Sequence, residues 1–401
     1  MAISSNSLPG QKTKLAIVVS HPIQHFCPQY ASLAANPALQ VKVFFASALG
    51  YKKYLDKDFR QEIAWRTLHL DEFDHQFLNG ELILPADKDL DAPGLEQALQ
   101  AFGPDILIVY GYFQKFQRRA YRWARKNKIK LAYISDSERR QHRNFLKEWV
   151  KYPFVTRYFK GIDYFLSVGD ANEEYYKHYG VPAVKIVRMH FSIDIGLYKK
   201  AYIGRTAWAV KLRAQFGLRQ EDMVVSVVGK LIPRKNQVDI INAMKVLEDN
   251  GIHLHLFVIG SGETMEALQE KAACLSRSRV YFPGFTTPEE LPGFYAASDI
   301  YIHPACEDAH PLAISEAIFM GCPVLISDKC GSFGPTDDVQ DGKNGYIFRC
   351  SDTRDLADKI WLLTDMHKRQ NFGDYSHSLG DKFQERAHAG FINELIEKID
   401  A

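Results

Sequence analysis

At 401 residues the chain exceeds what one hydrophobic core usually supports, so two domains are expected. Hydrophobic residues at 46% and charged residues at 24% describe an ordinary soluble globular protein, and no apolar run reaches the 18 or so residues that cross a bilayer. The net charge of +2 conceals an asymmetry: residues 1–200 carry 29 Lys and Arg against 20 Asp and Glu, residues 201–401 carry 21 against 28, and a basic half suits an anionic partner.

The leading segment MAISSNSLPGQKTK lacks a charged n-region followed by an apolar h-region, which fits a cytosolic protein. Strands are predicted at Leu15–Ser20, Val41–Ala46, Ile106–Tyr110, Leu131–Ser135 and Tyr164–Val168, with amphipathic stretches between them. That alternation is the pattern of a parallel sheet with crossover helices. The first strand runs into SHPIQHF, which places His21, Gln24 and His25 at its carboxyl end without a glycine. Asp87, Asp89 and Asp91 alternate in a loop. A calcium loop would need Gly and Glu where Ala92 and Ala98 stand, so a solvated acidic loop is expected. From Tyr112 to Lys130 the chain holds eight basic residues and no acid, interleaved with aromatics. An amphipathic helix covering the sheet accounts for most of that pattern, and an anionic membrane surface is the functional alternative. No nucleic-acid-binding module accompanies the charge. Gly111 and Asp136 each end or follow a strand and face the ligand-binding edge of such a sheet.

The weakly patterned segment 195–220 reads as a linker between domains 1–200 and 201–375. A second strand series follows at Val224–Gly229, Leu254–Ile259, Val280–Phe282, Ile300–His303, Val324–Ser327 and Tyr346–Phe348. Gly229 and the basic run Lys230, Arg234, Lys235 lie between a strand and a helix beginning near Asn236 or Gln237, a position that favours an anion. The turn GSGE offers two glycines that would let backbone approach a ligand. GxGxxG would need glycine at Met265, so a dinucleotide fingerprint is not supported. The six cysteines show no metal spacing and read as reduced, buried thiols. In EDAHPLAISEA, Asp308 and Glu316 stand eight positions apart, about 12 Å on a continuous helix, which suits two contacts on one extended ligand. Finally, Phe383, Ala387, Phe391, Leu395 and Ile399 define an amphipathic helix within 376–401, which either covers its own domain or crosses back to the first.

The ordered motifs GKLIPRKN, VIGSGE, VYFPGFTTPEEL, SDIYIHPACEDAHPLAISEAIFMGCPVLIS and DGKNGYIF, spread over residues 224–348, resemble the nucleotide-sugar domain of retaining family 4 glycosyltransferases. The resemblance implies an α/β GT-B fold, with two Rossmann-like domains facing across a cleft. It implies transfer of a sugar from a nucleoside-diphosphate sugar, a UDP-sugar ahead of a GDP-sugar, to a glycan, glycolipid or small-molecule hydroxyl. No cofactor or metal is expected. Carried onto this chain, Asp308 would touch hydroxyls of the transferred sugar and Glu316 the ribose. Lys230 and Lys235 would neutralise the diphosphate, helped by the amides around Ala309, His310 and Leu312. Gly229, Gly262, Glu263 and Phe285 would line the donor cleft, and His21, Gln24, His25, Gly111 and Asp136 the acceptor side. Three departures stand out: Asp308 for the usual glutamate, Lys230 for arginine, and Pro311 where many members have glycine. A nucleotide-sugar epimerase of the same fold and a non-catalytic sugar-nucleotide binder are the alternatives.

Overall fold

Runs of Val, Ile and Leu form strands buried on both faces, as parallel sheets require. The computed structural model describes residues 12–56, 61–65, 68–140 and 145–400; most of the leading segment, residues 1–11, lies outside the described residues. In chain order the first domain holds β1 (Thr13–Val19), β2 (Leu39–Phe45), an antiparallel hairpin of β3 (Tyr54–Asp56) and β4 (Gln61–Ile63), then β5 (Asp74–Phe77), β6 (Ile106–Tyr110), β7 (Lys130–Ile134), β8 (Tyr164–Ser167) and β9 (Ile186–Arg188). Apart from the hairpin these make one parallel sheet in the order β5-β2-β1-β6-β7-β8-β9. The second domain holds β10 (Val224–Val228), β11 (His255–Ile259), β12 (Arg279–Gly284), β13 (Ile300–His303), β14 (Val324–Ser327) and β15 (Gly345–Phe348), ordered β12-β11-β10-β13-β14-β15. In each sheet the strand order reverses beside the first strand: Leu15 of β1 faces Val41 and Ile106, and Val225 of β10 faces Leu256 and Ile300. Two doubly wound Rossmann-like domains result.

β5 and β9 escape sequence pattern because DHQF carries one large apolar residue and IVR is three residues long. Both are edge strands, where pairing needs no apolar alternation. The segment 195–220, expected as a linker, instead folds into helices Ile195–Ile203 and Arg205–Gln215. Asp194 caps the first by accepting from the Leu197 amide at 3.1 Å. Tyr198 and Ala201 enter the second domain's core, and the buried Arg213 guanidinium donates to the Ala297 carbonyl and to Asp299 Oδ2.

The C-terminal helix Met366–Glu385 widens into a π-turn at Arg386–Gly390 and continues as Phe391–Asp400. Phe391, Ile392 and Leu395 are buried in the first domain's core, and Gln29 Nε2 donates to the Ala387 carbonyl at 2.6 Å. The chain's last element is therefore packed on its first domain.

A loop of the second domain, residues 331–338, also bridges the domains. The Thr336 amide donates to Asp170 Oδ2 at 2.9 Å, the Asp170 amide donates to Asp337 Oδ2 at 2.6 Å, and Arg188 Nη1 reaches the Thr336 carbonyl at 3.0 Å. A Cβ on Gly169 would stand 2.4 Å from Asp337 Oδ2, so only glycine admits this approach. Arg140 donates to the Phe333 carbonyl at 2.8 Å and lies 3.7 Å over the Phe333 ring.

Candidate active site

The carboxyl ends of both sheets open onto one cleft of about 560 Å³, lined from the first domain by His21, Gln24, His25, Asp56 and Trp65 and from the second by Gly229, Lys230, Gly260, Phe285, Leu312 and Glu316. Hollows of about 650 and 640 Å³ lie elsewhere, but neither takes a residue from the ends of β1 or β10.

The basic turn forms as its residues suggest. Pro233–Lys235 make one 3₁₀ turn, Asn236 takes a left-handed conformation with φ of 52°, and helix Val238–Asp249 follows. The turn projects two lysines in different directions. Lys235 donates to Asp308 Oδ2, and His303 Nε2 lies 2.8 Å from the same oxygen. His303 in turn meets the Tyr301 hydroxyl through Nδ1 at 3.1 Å. Burial pushes the Asp308 carboxyl up, but its hydrogen bond to His303 and the nearby positive charge outweigh burial and hold it well below the usual range. Burial also lowers His303, against the pull of Asp308, and Lys235 adds its positive charge beside the Asp308 carboxylate.

Lys230 crosses the cleft to Asp56, with Nζ 3.3 Å from each carboxylate oxygen. This partner was not foreseen: Asp56 lies in a three-residue strand of the small hairpin and has no local motif.

Glu316 sits in the second turn of helix Leu312–Phe319, at the floor of the cleft. Tyr295 donates its hydroxyl to Glu316 Oε2 at 2.7 Å, and the Tyr198 hydroxyl also bonds it. Burial raises its carboxyl to about 7, and the two hydroxyls offset only part of that. Asp308 belongs to the loop before the helix, so the pair brackets the helix start rather than sharing one axis.

Other predicted residues divide. Leu312, Gly229 and Phe285 line the cleft, as do His21, Gln24 and His25. Burial lowers both histidines to about 4, with His21 adding to the effect on His25, so both are neutral at pH 7. Asp136 follows the end of β7 and is not among the residues lining the cavity; burial raises its carboxyl, His310 opposes this and Asp308 adds to it. His310 is buried with Nε2 3.2 Å from Asp338 Oδ2. Ala309 lies beside Gly331, whose Cβ would overlap the Ala309 carbonyl.

Lys235, Gly262, Glu263, Asp308, Ala309 and His310 are not among the residues lining the cavity, and neither is Gly111. Of the two glycines of GSGE, Gly260 lines the cleft with its amide donating to the Gly284 carbonyl, and both sit against backbone. A Cβ on Gly260 would fall 1.9 Å from the Gly229 carbonyl and one on Gly262 2.3 Å from the Leu231 carbonyl, so they let two strand-end loops pack. Gly111 answers to its turn, with φ of 79° and its amide donating to the Ile134 carbonyl. All six cysteines are free; Cys27, Cys322 and Cys330 are buried, Cys306 and Cys350 half-buried, and Cys274 exposed, a correction to the expectation of buried thiols.

Among the described residues, His310, Asp337 and Asp338 bring possible ligand atoms within 4.8 Å of one another. The carboxylates already have partners: Ser315 Oγ donates to Asp338 Oδ2, and the amides of Asp338 and Asp170 donate to Asp337, while His310 Nε2 makes no hydrogen bond and faces Asp338 Oδ2 at 3.2 Å. The group is a buried ion cluster that anchors the bridging loop.

Residues missed by sequence reasoning are Asp56, Tyr198, Tyr295 and His303. Only His303 carried a signal, at the end of a strand five residues before Asp308.

Residues 210–378 match the family described as glycosyl transferases group 1. The chain is 31% identical over 196 residues to D-inositol 3-phosphate glycosyltransferase of Corynebacterium jeikeium, covering 47% of this chain and 46% of the relative. It is 29% identical over 153 residues to an Escherichia coli UDP-Gal:alpha-D-GlcNAc-diphosphoundecaprenol alpha-1,3-galactosyltransferase, covering 37% and 38%. The chain thus spans half or less of the length of these curated relatives. Among solved structures, a Rickettsia africae glycosyltransferase superposes with a TM-score of 0.71 at 12% identity, covering 97% of this chain and 99% of that one. Anabaena Alr3699/HepE in complex with UDP and glucose gives 0.66 at 16% identity, covering 96% and 99%. Residues 210–378 are thus similar to the glycosyl transferases group 1 family, on a chain whose fold is that of the GT-B glycosyltransferases.

Proposed function

We propose that this protein is a retaining family 4 glycosyltransferase, moving a hexose-type sugar from a nucleoside diphosphate to an acceptor hydroxyl. The observation that carries the reading is the bracket of Asp308 and Glu316 around the start of one helix, with Lys235 bound to Asp308 and Lys230 opposite. Glu316 accepts hydrogen bonds from the ribose, Asp308 from the sugar, and the amides near Ala309 and His310 meet the diphosphate between them. When the sugar–phosphate bond breaks, negative charge develops on the β-phosphate, and two fixed cations stabilise it where it forms. That arrangement supports metal-independent transfer. The acceptor oxygen attacks from the leaving-group face and its proton passes to a phosphate oxygen. His21, Gln24, His25 and Asp136 supply the acceptor side, their neutral imidazoles able to donate or accept.

UDP-sugars come first as donors: the Anabaena neighbour is a UDP complex, although one curated relative is named as GDP-mannose-dependent. The acceptor is a glycan or glycolipid handled at the cytosolic face of a membrane. Its support is the basic first half and the names of relatives acting on lipid-linked acceptors; no helix among the described residues is long and apolar enough to span a bilayer.

Thermal shift against UDP, GDP, ADP and their sugar conjugates, on wild type and Glu316→Ala, tests the reading. Ligand that binds only the folded state raises the midpoint. One nucleotide should do so, and the shift should vanish in the variant; no shift with any nucleotide in folded protein rejects the reading. Turnover of the donor to an isomeric sugar nucleotide without acceptor would identify an epimerase instead.

A further inference from the structure

Of the aromatics in the basic stretch 112–130, Phe113 alone is exposed, on the loop ahead of the helix. In helix Lys115–Asn127 both Phe116 and Trp123 are buried against the sheet. Further exposed aromatics sit on the following helix, Phe145–Phe159, where a cover helix would turn them inward. Trp149 is 71% exposed, Val150 69% and Phe154 53%, and Phe113 on the neighbouring loop is 61% exposed. They adjoin one another: Val150 and Phe154 are one turn apart, and the Phe154 ring lies 6.0 Å from Tyr112, next to Phe113. A contiguous apolar surface of this kind marks an interaction site.

Its surroundings select the partner. Arg157 is exposed on the same helix, and Lys151 leans over the Tyr175 ring at the patch's edge. The nearest acid of the helix, Glu148, is occupied in accepting the Tyr179 hydroxyl. Apolar aromatics flanked by two cations match the interface of an anionic bilayer, where rings enter the headgroup region and cations meet lipid phosphates. Placement agrees with this chemistry. The patch follows β6 and β7 at their carboxyl ends, the edge that carries Asp136 and the Arg140 contact to the second domain.

We propose that Trp149, Val150, Phe154 and Phe113 form a docking surface for an anionic lipid bilayer, which presents a lipid-linked acceptor to the first-domain side of the cleft. The delivery of acceptor rests on the glycosyltransferase reading; the docking does not.

The test is co-sedimentation of the full chain with vesicles of phosphatidylcholine alone and with phosphatidylglycerol added, beside a UDP and GDP thermal shift on the same samples. Wild type should pellet with the anionic vesicles. W149S/F154S should lose about tenfold or more in affinity, since two rings no longer leave water. K151Q/R157Q should lose about fivefold for each cation removed. Both variants alter surface positions away from the donor machinery, so any nucleotide shift of wild type should persist in them. Wild type remaining in the supernatant with anionic vesicles overturns the proposal, as does unchanged binding by both variants. Conversion of a dimer to a monomer by W149S/F154S would assign the patch to a second copy and overturn it as well. Absence of nucleotide shifts throughout rejects the enzymatic reading and leaves the vesicle result to decide the surface.

Discussion

Asp56 of the first domain and Lys230 of the second meet across the cleft, with Nζ 3.3 Å from both carboxylate oxygens. The contact joins a short hairpin to the end of the strand that would receive a diphosphate, so a carboxylate stands where substrate phosphate would compete for the same cation.

Replacing that carboxylate should therefore favour the substrate. Asp56→Asn is expected to tighten nucleoside-diphosphate binding by about 3- to 10-fold at low salt, a gain on the order of 1 kcal/mol, as a partly exposed ion pair contributes. Titration calorimetry on the two proteins measures it. A weaker complex would mean that Asp56 orients Lys230 instead of competing for it.

Lys235 is expected to matter twice. Lys235→Ala leaves the largely buried Asp308 carboxylate without its lysine partner, and should destabilise the fold by roughly 3 kcal/mol. It should also lower kcat by on the order of 10²-fold through loss of charge at the leaving group. Denaturant melts and single-turnover assays separate the two effects, and a stable variant with unchanged turnover would remove Lys235 from the site.

Glu316 should give the protein a pH signature. Its carboxyl is raised from 4.5 to about 7 by burial, so the folded state holds the proton more tightly than the unfolded chain does. The stability this contributes is complete below 4.5 and is lost as pH rises through about 7. Glu316→Gln abolishes this dependence; relative to the variant, wild type should lose on the order of 1–3 kcal/mol between those limits. Melting both proteins over that range shows it. A constant difference would mean that Glu316 is already ionised at the low end.

The C-terminal strap should be indispensable to the first domain. Leu395 is fully buried there, and Leu395→Ala should cost about 2–5 kcal/mol. A chain ending before Phe391 would expose that core and should aggregate or unfold early, monitored by denaturant midpoint and light scattering. An unaffected midpoint would show that the strap merely rests on the domain.

Local sequence determined the strands buried on both faces, the basic turn after β10 and the acid pair around the helix at Leu312, because each is a property of a few adjacent residues: apolar runs, a proline-initiated turn, fixed spacing. Edge strands β5 and β9 stayed hidden, since edge pairing needs no apolar pattern. The two glycines of GSGE announced close approach without saying to what, and tertiary structure made it backbone. Long-range placement alone decided that Asp56 meets Lys230, that Tyr198 and Tyr295 hold Glu316, that helix Phe391–Asp400 belongs to the first domain's core, and that Phe113 of the basic stretch shares an exposed surface with aromatics of helix Phe145–Phe159. Those pairings join residues tens to hundreds of positions apart, and no local spacing encodes which surfaces two separately folded sheets will turn toward each other.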